Sequence, residues 1–241
     1  MADYALYARR PLPETGAWRV HPAPDVLPRL TDDGPGANRY DDPHARYAVR
    51  YVAENLTGAL VETMARFRRA PAAEALLAAV EGVESDDERH LDPGDGVAGW
   101  LAVQNVARVA LAAGEPLIDV HDPQLLRDLD KHPLVRDALA ESGLGTPLNP
   151  PRLDEGIVRL GGPHGRPVTQ ALSRAAREWL PDIAGLAYRS RLDDDEWCWA
   201  IWDTTDVRVD IEPLNPVQRH HRRAVQHAAH LLEIQTPEEW Q

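Results

Sequence analysis

Five side chains of types that handle charged ligands stand out in this sequence: Arg19 in WRVH, Arg39 in NRYDDP, Tyr51 in YAVRYVAE, Glu62 in GALVET and Ser190 in AYRSRL. Arg19 and Arg39 each adjoin an aromatic residue, an arrangement suited to holding a phosphate or stacking on a ring, and equally to a structural ion pair. Glu62 stands one helical turn before Arg66, the spacing of an ion pair on a solvated face. Its small neighbours Gly58 and Ala59 would also let a ligand or another strand come close to the carboxylate. Tyr51 lies in an alternating segment and reads first as core. Ser190 reads first as a hydroxyl that terminates a strand. Residue type and spacing leave the chemical and the structural reading open for each.

The elements that must position these groups follow from periodicity. Arg46 to Ala53 alternates as a strand, with Tyr47, Val49, Tyr51 and Ala53 on one face. Asn55 is placed to cap a helix whose stripe is Leu56, Leu60, Met64 and Phe67, with Glu62 off the stripe. Pro71 to Val80 predicts a short helix, and Val103 to Leu111 and Glu115 to Val120 predict strands. Gln124 to Leu129 and Leu134 to Ala140 predict helical pieces, with Thr169 as the cap of a helix through Trp179. Leu186 to Ser190 and Trp197 to Trp202 read as strands joined by the turn Asp193-Asp194-Asp195; the second is apolar on both faces, as a central strand is. Val207, Val209 and Ile211 predict a half-exposed strand, and Asn215 with Pro216 opens a helix to about Ile234. The first 45 residues and Gly143 to Pro167, where proline and glycine crowd, read as loops. Strands and helices without a regular βαβ rhythm give an α+β fold.

The whole chain narrows the classes of function. Of its 241 residues 39 are acidic and 26 basic, and the net charge of −13 would repel a nucleic-acid backbone, so no nucleic acid is expected as partner. The single cysteine, Cys198, requires no oxidising compartment, and no segment has the length of a signal peptide core or a membrane span. The expectation is a cytoplasmic protein that does not engage a membrane. Glycine-rich phosphate loops, zinc-type cysteine pairs and nucleophile-elbow serines are absent from the sequence. The last helix offers His220, His221, His227 and His230, but Arg219, Arg222 and Arg223 interleave with them, and no metal is expected. Its apolar stripe of Val217, Ala224, Val225, Ala228, Leu231 and Leu232 predicts an interface, which would suit a homo-oligomer.

Taken together, these segments resemble the RES-domain family, named for an arginine, a glutamate and a serine, whose members include NAD-degrading toxins of toxin–antitoxin pairs. WRVH resembles the family's opening arginine segment. RYDDP and YAVRYVAENLTGALVET resemble its arginine–tyrosine–glutamate core, and ALSRAAREWLPDIAGLAYRSRLDDDEWCWAIWD resembles its closing serine segment. The resemblance covers most of the chain and implies one domain over residues 1–241, with the helix 215–234 as an addition. It implies a fold similar to that of ADP-ribosyltransferases around an NAD cleft. By its implication Glu62, Ser190 and Tyr51 are catalytic, while Arg19, Arg39 and Tyr51 bind NAD, which is the substrate. An antitoxin of the Xre type would be the expected partner. The reaction implied is cleavage of the nicotinamide–ribose bond by water or phosphate. Transfer of ADP-ribose to a protein and a catalytically silent interaction protein are the alternatives.

Overall fold

A computed structural model describes residues 4–22, 38–68, 93–112, 115–146, 149 and 151–241. In chain order its elements are β1 (Ala17–Pro22), β2 (Val49–Ala53), α1 (Leu56–Met64), α2 (Pro93–Leu101), β3 (Gln104–Leu111), β4 (Leu117–Asp119), α3 (Pro123–Leu129), α4 (Pro133–Glu141), α5 (Glu155–Arg159), α6 (Gly162–Trp179), β5 (Gly185–Arg189), β6 (Trp197–Trp202), β7 (Val207–Pro213) and α7 (Arg219–Leu232). This is an α+β protein. The helix expected over Pro71 to Val80 lies outside the described residues. Among the described residues no helix is long and apolar enough to cross a membrane.

The chain forms two compact units, and the first comprises Met1–Ala17, Leu27–Glu54 and Val109–Val209. Its strands run in the order β4-β5-β6-β2. The β4–β5 pair is parallel, and both β5–β6 and β6–β2 are antiparallel, with Tyr51 opposite Ala200. As its apolar run WCWAIW predicts, β6 is buried at every position. Trp199 still satisfies its indole by donating Nε1–H to the Arg10 carbonyl at 2.8 Å. Helix α6 begins well before Thr169, which caps nothing: its hydroxyl donates back to the carbonyls of Gly165 and Arg166, inside the helix. The tyrosine before β2, Tyr47, meets Ser173 of α6 at 3.2 Å and lies under Arg177, whose guanidinium is 4.6 Å from the ring centre.

The second unit comprises Trp18–Val26, Asn55–Arg108 and Asp210–Gln241. It holds most of β1 and β3 and the end of β7, which neighbour one another in the order β1-β3-β7. Strand β1 corrects the loop reading of the first 45 residues. Arg19 and His21 are polar residues within it, so its alternation is not an apolar one. Asn55 does cap α1, accepting the Gly58 N–H at 3.0 Å. Helix α7 starts at Arg219 rather than Asn215, because the Asn215 side chain accepts the Val217 N–H and makes a separate turn. Its buried residues Ala224, Val225, Ala228 and Leu232 face α1 within this unit. Burying a valine or leucine in this way stabilises by roughly 1.5–3 kcal/mol. The predicted interface is therefore corrected: most of that stripe is internal packing, and Val217 and Leu231 alone of its members are exposed, at 84% and 38%.

Candidate functional site

In the first unit the loop that carries Arg39 is clasped by two adjacent aspartates. Asp41 takes the main-chain and side-chain N–H groups of Asn38, both at 2.9 Å, on Oδ2. On Oδ1 it takes the Tyr51 hydroxyl at 2.8 Å. The same phenol oxygen accepts the Tyr40 N–H at 2.9 Å, so β2 and the loop are joined through Tyr51. Burial, reinforced by Asp41, pushes the Tyr51 phenol well above its ordinary pKa, and it stays a neutral donor. Asp42 holds the second half of the loop. It is buried and accepts the His44 and Arg46 N–H groups and both Nε and Nη2 of Arg46, at 2.7–3.2 Å. Burial opposes its ionisation, but the Arg46 and His44 hydrogen bonds outweigh burial and hold the carboxyl below the usual carboxylate range.

Arg39 projects from this clasp. Its Nη2 donates to the Val158 carbonyl of α5 at 2.6 Å, and its guanidinium lies 5.2 Å from the ring centres of both Tyr40 and Tyr188. The two tyrosine rings are 4.9 Å apart and tilted. A carbonyl orients a guanidinium without cancelling its charge, and the rings add cation–π attraction.

Ser190 follows β5 and is buried. Its Oγ accepts the N–H groups of Leu192 (3.0 Å) and Asp193 (3.3 Å), so it shapes the turn into β6. Arg159 of α5 donates to the Ser190 carbonyl at 3.4 Å and pairs with Asp194. Nearby, His121 accepts the Arg189 N–H on Nε2 at 3.1 Å, and its Nδ1 stands 3.6 Å from Glu155 Oε1. Burial lowers the His121 pKa, and the bond to Nε2 places the proton of the neutral ring on Nδ1. Arg39, Tyr51 and Ser190 are thus linked through Tyr40, Tyr188 and α5 within one unit.

Arg19 and Glu62 belong to the second unit. Arg19 is half-buried in β1, and Glu62 is exposed on α1. The ion pair expected from the Glu62–Arg66 spacing does not form among the described residues. Arg66 instead donates Nε–H to the Thr63 carbonyl at 3.1 Å, and its guanidinium lies 5.9 Å from the Trp100 ring centre. Glu212 of β7 lies near His220 and His221 of α7, with ligating atoms within 4.8 Å of one another. This cluster suits a carboxylate–histidine contact better than a cation. Nδ1 of His221 accepts the Asn215 N–H at 3.2 Å, which puts the ring proton on Nε2, the atom facing Glu212 at 3.4 Å. A metal would need that nitrogen bare, beside a helix N-terminus and three arginines.

Asp41, Tyr188, Arg159 and His121 were not anticipated. The sequence signal for Asp41 was present: an acid three residues after Asn38 is placed to reach back to that residue's N–H, as the acid of a capping box does. The others come from segments distant in sequence and carry no local signature. No curated protein and no solved structure matches the chain. A family model, RES domain, matches residues 17–224, a span that includes Arg19, Arg39, Tyr51, Glu62 and Ser190. With most of its length matched, the chain belongs to the RES-domain family.

Proposed function

We propose that this chain cleaves the nicotinamide–ribose bond of NAD, as a glycohydrolase or a phosphorylase. Family membership supports an NAD-related function associated with toxin–antitoxin pairs at the level of the family. The observation that carries the finer reading is the setting of Arg39. Its guanidinium donates to the Val158 carbonyl and lies against the Tyr40 and Tyr188 rings, on a loop that Asp41 ties to Tyr51. That is a preorganised cation of the kind that receives a pyrophosphate.

In this reading Arg39 holds the pyrophosphate, and Arg19 keeps the NAD-binding role that the family resemblance implies. Tyr51 offers its ring to the nicotinamide or its ribose, because its hydroxyl is already engaged by Asp41 and Tyr40. The bonding pair of the C1′–N bond leaves with nicotinamide, and the Glu62 carboxylate stabilises the oxocarbenium-like ribose that remains. Water or phosphate then attacks C1′, and the proton lost from the nucleophile passes to solvent. Ser190 acts by fixing the turn that follows β5. No metal takes part. The reaction would run in the cytoplasm, and an Xre-type antitoxin is the proposed partner.

Incubation of the purified protein with NAD, with and without cell extract, tests this. Free nicotinamide is expected in both cases, together with ADP-ribose or its 1″-phosphate. Nicotinamide release only with extract, accompanied by ADP-ribose on protein, would move the assignment to transfer, and no consumption of NAD would overturn it.

A further inference from the structure

Strand β2 turns Arg50 to the opposite sheet face from Tyr51. Across the ladder Arg50 pairs with Ile201, and Val52 pairs with Trp199, so the row it enters is apolar. Arg50 is 3% exposed, and its Nε and Nη1 are buried and meet no acceptor among the described residues. Asp203 acts on it electrostatically, but its Oδ2 takes the Ala48 N–H at 3.1 Å and no ion pair with Arg50 closes among the described residues. Other arginines of the same unit behave differently: Arg46 pairs with Asp42, Arg136 with Asp130 and Arg159 with Asp194.

A buried lysine or carboxylate can escape its desolvation cost by becoming neutral, whereas a guanidinium stays charged. Burial draws the Arg50 pKa down and Asp203 opposes it, without removing the charge. Buried polar groups are almost always satisfied, and an unpaired buried charge is among the most destabilising features a fold can carry.

We propose that Arg50 is the anchor of a small-oxyanion site inside the first unit, on the face of the sheet opposite Tyr51. The ligand class is a phosphate- or carboxylate-sized anion, held by the unfilled guanidinium N–H groups in a setting where apolar neighbours strengthen the attraction. The site does not depend on the NAD reading.

Thermal melts of wild type, Arg50→Met and Arg50→Lys test it, in chloride buffer and in phosphate or acetate at equal ionic strength. Phosphate at about a hundredfold above its Kd is expected to raise the wild-type Tm by roughly 5–10 °C and to leave Arg50→Met unmoved. A shift with phosphate alone identifies a phosphoryl-type ligand, and one with acetate a carboxylate. Asp203→Asn should tighten anion binding by removing the competing charge. Equal shifts in wild type and Arg50→Met overturn the proposal. So does a wild type indifferent to both anions with a destabilised Asp203→Asn, because Asp203 would then be the whole partner of Arg50. Should Arg50→Met fail to fold, equilibrium dialysis of labelled phosphate decides: wild type is expected to bind at least tenfold more tightly than Arg50→Lys, and no binding to wild type at millimolar phosphate overturns the site.

Discussion

Replacing Tyr51 with phenylalanine removes one oxygen and, among the described residues, the two hydrogen bonds to Asp41 and Tyr40. The lost donor served the Asp41 carboxylate at 2.8 Å, a charge-assisted bond of the class worth about 1.5–3 kcal/mol. The lost acceptor served the Tyr40 N–H at 2.9 Å, and a buried amide left without a partner costs about 1–3 kcal/mol. Asp41 is half-exposed and keeps its two bonds from Asn38, so water recovers part of the first loss. The expected destabilisation is about 2–4 kcal/mol, a fall in Tm of roughly 4–16 °C for a chain of this size. Asp41→Asn keeps one acceptor oxygen for the Tyr51 hydroxyl but loses the charge and sets an amide NH2 against the Asn38 donors, so it too should be less stable than wild type. The clasp sits one residue from Arg39, and Tyr51→Phe should therefore also weaken NAD binding measured at equal folded fraction. Urea melts of the three proteins provide the ranking. A Tyr51→Phe variant that melts with wild type would show that the phenol oxygen does not tie the loop to β2.

Glu62→Gln should slow nicotinamide release roughly a hundredfold to a thousandfold, about 2.7–4 kcal/mol of transition-state stabilisation, with little change in Tm because the side chain is exposed; equal rates would end its catalytic assignment. Ser190→Ala strands the N–H groups of Leu192 and Asp193 and should cost about 1–3 kcal/mol in a urea melt, with Ser190→Thr milder. The folded-state pKa of Asp42 lies below its unfolded value of about 3.8, so its contribution is complete above that value and disappears as pH falls through the lower one. Melts of wild type and Asp42→Asn should accordingly differ at pH 6 and converge in strong acid. Leu232→Ala should lose about 2–5 kcal/mol with the mass by light scattering unchanged, whereas a change of mass without loss of stability would restore α7 as an interface.

Local patterns decided what the sequence could foretell. WCWAIW announced a strand buried on both faces, and Asn55 ahead of Leu56, Leu60 and Met64 announced α1, because strand burial and helix capping are encoded within a few residues. Strand β1 was hidden by its polar residues Arg19, half-buried, and His21, buried, and the start of α6 by Gly162 and Pro163, which a first helical turn tolerates, and by Gly165 and Pro167 within the helix. At the site, residue types led to Arg39 and Tyr51; Tyr51 is held by the nearby Asp41 and Tyr40, but the contacts of Arg39 depend on Val158 and Tyr188, more than a hundred residues on. The pairing of Glu62 with Arg66 was a sound inference from spacing, defeated by a competing carbonyl one turn back.

The packing of α7 against α1 bears on where this protein can be cut. The family match stops at residue 224, midway along a helix that runs on to Leu232. Val225, Ala228, Ala229 and Leu232, all buried, lie beyond that limit. An expression fragment trimmed to the matched span would keep Glu62 and remove much of the apolar cover from the helix that carries it. The shared residues thus mark a shorter segment than the one that must be made for α1 to remain covered.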